Sequence, residues 1–151
     1  MKVHTSRGEM ELNTLFRWKV ITKLKEVGVP AGLSGYECLS VALMKSLQDP
    51  TILKGVTKRL YKEVALETNS TASRVERVMR SSIEVAFNRC SYEILNREFG
   101  NCIDPNKGKP TNVEFISTLS NNIAIEILLE TGVDIWAKRK GDINYGYGDT
   151  L

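Results

Sequence analysis

The sequence predicts an all-α fold: a six-helix domain whose third and fourth helices form a helix-turn-helix, followed by a C-terminal tail. Two observations carry most of that prediction. Apolar residues recur every three to four positions through most of the chain, which is the spacing of one helix face. Gly, Pro, Asn and Asp interrupt the pattern where helices would stop. A further observation places the motif. Asn69-Ser70-Thr71 is a short polar break between two strongly periodic stretches, the sequence form of a helix-turn-helix.

The first twelve residues read as a flexible polar leader, the domain as 13–132, and 133–151 as a tail. Helix one is expected from Asn13 to Val27, with Leu15, Trp18, Ile21 and Leu24 or Lys25 as its inward stripe and Gly28 and Pro30 ending it. Helix two starts near Gly35 and carries Leu39, Leu43 and Leu47 in one row before Asp49-Pro50. Helix three covers 56–67, with Val56, Leu60, Val64 and Leu66 or Ala65 inward. Helix four runs from about Ala72 to Asn88, and a short fifth helix from Tyr92 to Phe99 closes at Gly100. Breakers fill Asp104 to Pro110. Helix six then starts at Thr111, where Thr111 and Glu114 have capping-box spacing, and ends at Thr131-Gly132. Asp134 to Lys140 holds at most a helical turn anchored by Trp136, and the Tyr/Gly-rich end reads as extended. Both tryptophans, Trp18 and Trp136, read as packing anchors rather than base-stacking platforms.

Composition narrows the function classes. With 42% hydrophobic and 26% charged residues in 151, the chain has enough apolar material for a core without metals or disulfides. Cys38, Cys90 and Cys102 cannot all pair within one chain and lack zinc spacing, so free thiols in a reducing compartment are expected. The only histidine, His4, sits in the leader, which removes both a Cys/His metal set and a catalytic triad. No phosphate-loop, metalloprotease or paired-carboxylate pattern is present, and neither enzyme chemistry nor a cofactor is expected. The start of the chain lacks a signal-peptide core, and no apolar run is long enough to span a bilayer, so a cytoplasmic location is expected. The net charge of +3 permits nucleic acid as a partner without requiring it.

The distribution of charge is more informative. At about 100° per residue, Val75, Val78, Met79, Ser82, Ile83, Val85 and Ala86 fall on one half of helix four. Ser73, Arg74, Glu76, Arg77, Arg80, Ser81 and Glu84 fall on the other. A guanidinium fork meets guanine O6 and N7 together, and Glu76 either accepts from a cytosine amino group or braces an arginine. Ser73 and the helix start suit phosphate. The competing reading is a solvated face with a local Glu76–Arg80 ion pair. Lys54, Lys58, Arg59 and Lys62 on the preceding helix, with Lys107 and Lys109 before helix six, favour phosphate contact.

Several segments together resemble the effector domain of the stage-zero sporulation protein A family of response regulators. They are Val27-Gly28-Val29-Pro30-Ala31, Gly35-Tyr36 with Leu39, Val56-Thr57-Lys58 with Leu60-Tyr61, and Thr71 to Arg77. Arg80, Ile83 to Ala86, Arg89, Lys109 to Asn112 and Glu114 to Ile116 continue the series in the same order. The resemblance covers roughly 15–128 and is densest at Ser73-Arg74-Val75-Glu76-Arg77. It implies a six-helix domain that binds short promoter boxes in double-stranded DNA as a tandem pair and regulates transcription. By position it implies base contacts from Arg77 and Arg80, supported by Arg74 and Glu76. It implies backbone contacts from Ser73, Ser81, Thr71, Lys58, Lys107 and Lys109. A homodimer on tandem sites and RNA polymerase are the further partners it implies.

Family members often carry a histidine where Ser81 stands and a proline where Lys62 stands, and neither change removes a base-reading arginine. Only about a dozen residues precede the first expected helix, so no phosphorylated receiver is expected in this sequence. That departure leaves an alternative: an adaptor or antagonist of the same fold that binds protein and not DNA.

Overall fold

The computed structural model describes residues 1–100 and 108–137. Helices α1 (Leu12–Glu26), α2 (Ser34–Gln48), α3 (Tyr61–Glu67), α4 (Ala72–Arg89), α5 (Tyr92–Phe99) and α6 (Asn112–Thr131) build an all-α body. Their apolar faces meet in one core in which Leu24, Leu39, Leu43, Leu60, Val64, Met79, Phe115, Ile116 and Ile123 have no exposed surface. Phe99 joins α5 to α6 by stacking on Phe115, with ring centres 5.6 Å apart, and also meets Phe87 of α4. No helix among the described residues is long and apolar enough to cross a membrane.

The start of the chain departs from the expected flexible leader. Strands β1 (Lys2–Thr5) and β2 (Gly8–Glu11) pair antiparallel, with Val3 opposite Met10 and Thr5 opposite Gly8. The tight turn is held by Arg7 N, which donates to Thr5 Oγ1 at 3.0 Å, while Gly8 takes φ +101°, a conformation that favours glycine. Val3 enters the core, and the Arg7 guanidinium lies 4.6 Å from the ring centre of Trp18. Strands of four residues offer too little alternation to stand out in a sequence, and Ser6-Arg7 is not a typical hairpin pair.

The stripe expected on α1 is also displaced. Leu15 and Leu24 are buried, but Phe16, Val20 and Lys23 accompany them, while Trp18 and Ile21 remain 46% and 40% exposed. Trp18 therefore packs under the hairpin arginine rather than in the core. Trp136 does act as an anchor: its Nε1 donates to the Leu47 carbonyl at 3.0 Å. The helix expected over 56–67 is two pieces, a π-helix (Val56–Leu60) and α3, and a 3-10 helix (Pro50–Gly55) leads into them. Apolar spacing reports which residues point inward, not the hydrogen-bond register, so these pieces looked alike in the sequence. Arg59 spans the irregular stretch, reaching Asp49 at 2.8 Å, Thr51 at 3.1 Å and Glu63 at 3.3 Å. Leu66 points outward and Ala65 inward, which resolves the alternative left open for that helix.

Helix ends follow local chemistry closely. Gly28, Gly100 and Gly132 all take positive φ just past α1, α5 and α6. Thr111 and Glu114 form the expected reciprocal cap, with Thr111 N donating to Glu114 Oε1 at 2.8 Å and Glu114 N to Thr111 Oγ1 at 3.2 Å.

Candidate nucleic-acid interface

The turn between α3 and α4 is built by its own polar residues. Asn69 takes φ +55°, a left-handed conformation that asparagine tolerates better than most side chains. Ser70 N donates to the Ala65 carbonyl at 2.8 Å, closing α3. Thr71 Oγ1 then accepts from Arg74 N at 3.2 Å and caps α4. The N–H groups of Ala72 and Ser73 belong to the first turn and have no carbonyl of their own helix to meet, so they face outward with the positive end of the helix dipole.

Helix α4 is divided sharply between its two sides. Val75, Met79, Ile83 and Ala86 are at most 1% exposed, and Ser82 is buried with them. Ser73, Arg74, Arg77, Arg80, Ser81 and Glu84 are exposed, and Glu76 is half-buried between the two sides. The outward row of guanidinium groups is therefore a property of the folded molecule. Among the described residues Arg77 has no ion-pair partner. Arg80 is 60% exposed and bonds Glu76 Oε1 at 2.9 Å. An exposed pair at this spacing is worth only about 0.3–0.5 kcal/mol, so it does not hold Arg80 away from a ligand.

The close approach of α2 sets how deeply α4 sits. A Cβ placed on Gly35 would lie 2.0 Å from Ser82 Oγ and 2.2 Å from the Val78 carbonyl oxygen. Only a residue without a side chain fits between these helices. From the other side, Asn112 at the start of α6 donates from Nδ2 to Tyr61 Oη and to the Glu76 carbonyl, each at 3.0 Å. Just before it, Lys109 Nζ pairs with Glu84. That pairing outweighs desolvation, which pushes the other way, and holds the Glu84 carboxyl below the usual glutamate range.

The expected contact residues thus fall into groups. Thr71, Ser73, Arg74, Glu76, Arg77, Arg80 and Ser81 lie together on α4 and its cap, and Lys109 reaches the same helix through Glu84. Lys58 is exposed in the π-helix ahead of α3, on a different element. Lys107, like Cys102 and 138–151, lies outside the described residues. The roles of Gly35, Tyr61 and Asn112 around α4 were not assigned from sequence. A glycine at the expected start of helix two reads as a helix boundary and not as a packing point, and a polar residue at a helix start reads as solvent-facing.

Residues 20–123 match the family model described as sporulation initiation factor Spo0A C terminal. The match runs from the middle of α1 into α6 and takes in everything between, more than half of the chain. The chain belongs to this family, a family of helical DNA-binding effector domains of sporulation-related transcription regulators rather than of enzymes.

Proposed function

From that membership, we propose that the chain is a sequence-specific transcription regulator that reads the DNA major groove with the helix at 72–88. The observation that supports it best is the exposed row Arg74, Arg77 and Arg80 on a helix whose opposite side is sealed into the core. In this reading Arg77 and Arg80 contact base edges, and Arg74 and Glu76 support them. Thr71, Ser73, Ser81, Lys58, Lys107 and Lys109 contact the backbone. Thr71 already accepts a bond from Arg74 N, but its hydroxyl hydrogen is free to donate to a phosphate oxygen. Lys109 exchanges Glu84 for phosphate on binding. In this reading the protein acts in the cytoplasm, as a homodimer on tandem sites within reach of RNA polymerase.

An adaptor role draws on a different surface. Ile125 and Leu129, one turn apart on α6, are 48% and 81% exposed, an apolar pair that DNA would not cover. A gel shift with the family's promoter box against a scrambled duplex, at two salt concentrations, separates the readings. The regulator prefers the box at both and loses affinity steeply as salt rises. Failure to retain either duplex at low salt would overturn DNA reading and leave the adaptor.

A further inference from the structure

Asn112 is the first residue of α6 and is only 7% exposed. Both protons of its amide are used, one on Tyr61 Oη of α3 and one on the Glu76 carbonyl of α4, each at 3.0 Å. That carbonyl belongs to the turn of α4 that carries Arg77 and Arg80.

We propose that Asn112 is a positioning residue for base readout: its amide sets the register of α4 along the helix axis. The argument rests on the groove-reading role of α4. The apolar underside of α4 decides which side faces in, but apolar contact is non-directional and tolerates sliding. A hydrogen bond has a preferred length and angle, so it resists both sliding and rotation. A guanidinium that bonds guanine through two atoms tolerates little displacement of its backbone, and such groups need supporting contacts behind them. Asn112 is itself held firmly. Its neighbour Thr111 is locked in the capping box, and Tyr61 Oη fixes the plane of the amide. The same helix start carries Lys109 to Glu84, so one junction locates both a base-reading turn and a backbone contact.

The test compares affinities for the promoter-box and scrambled duplexes in the parent, Asn112→Leu, the double variant Tyr61→Phe/Asn112→Leu, and Arg77→Ala. The double variant replaces both side chains of the Asn112–Tyr61 bond with apolar groups of similar shape, so no buried hydroxyl is stranded and the variant is expected to fold. The expected result is a box-to-scrambled affinity ratio reduced about tenfold or more in both Asn112 variants, with scrambled binding near the parent value. A purely structural role would lower the folded fraction and both affinities by one factor, leaving the ratio unchanged, and that result overturns the inference. If the parent discriminates and Arg77→Ala does not, while the double variant keeps the parent ratio, only the positioning role falls. If the parent itself does not discriminate, the groove-reading role falls as well.

Discussion

Arg77 and Arg80 stand three residues apart on α4 and both face outward, yet their surroundings differ. Arg80 is braced by Glu76, while Arg77 has no ion-pair partner among the described residues. Arg77 is thus the guanidinium with nothing to give up on meeting a base. Arg77→Ala is expected to cost about 1–3 kcal/mol of discrimination at one base-pair position, read by binding to duplexes changed one pair at a time. Glu76→Gln releases Arg80 from an exposed pair and is expected to change affinity by less than about 1 kcal/mol. Parent-like discrimination by Arg77→Ala would mean that the reading surface lies elsewhere. The outward row was legible in the sequence because a long helix with one sealed side leaves little freedom about where its polar residues point. The brace was legible as well, since Glu76 and Arg80 have the spacing of neighbours on a helix face. The inward Asn112 was not, because its burial comes from α3 and α4, far away in sequence.

Elements were legible in proportion to how local their causes are. The Thr111–Glu114 cap and the glycines after α1, α5 and α6 follow from contacts within a few residues, and sequence reading placed them closely. The hairpin and the π-helix depend on how segments dock, and local pattern missed them. The contact between α2 and α4 is of this second kind, and it has a sharp consequence. Gly35→Ala places a methyl 2.0 Å from Ser82 Oγ and 2.2 Å from the Val78 carbonyl, so the two helices must part. The expected loss is about 1–3 kcal/mol, read from the denaturant midpoint. Adding Ser82→Gly removes the side-chain clash but leaves the Val78 backbone oxygen in place, so it should restore only part of the loss. Full stability in Gly35→Ala would show that α4 does not lie against α2 at this point.

At the scale of the whole molecule, two of the polar networks stand apart and share no residue. One is the outward side of α4. The other ties α1, α5 and α6 together. Lys23 and Glu98, 4% and 7% exposed, meet at 3.1 Å. Arg97 and Asn122 also bond Glu98, at 2.9 Å and 3.1 Å, and Glu126 completes the pairing of Lys23. Lys19 joins Glu126 and Glu130 beside them. The i, i+4 spacing of Glu126 and Glu130 shows only that they share a face of α6, because nothing local shows that lysines of α1 lie opposite. Burial pushes the Glu98 carboxyl upward, but the charge and hydrogen bond of Lys23, with Asn122 and Arg97, outweigh it and hold it below the usual glutamate range. A carboxyl depressed in the folded state stabilises above its unfolded pKa, about 4.3, and that contribution disappears as pH falls through the lower folded value. Glu98→Gln leaves Lys23 buried with half its partners, at an expected cost of about 3 kcal/mol near neutral pH. The gap between parent and variant, followed by denaturant unfolding from pH 7 downward, should stay level to about pH 5 and narrow below about pH 4. Because Glu98 touches no residue of α4's outward side, the folded variant should keep the parent's preference for the specific duplex. A gap that persists unchanged to pH 3 would show that the charge of Glu98 contributes nothing and that the loss comes from putting an amide NH2 where Lys23, Arg97 and Asn122 need an acceptor oxygen.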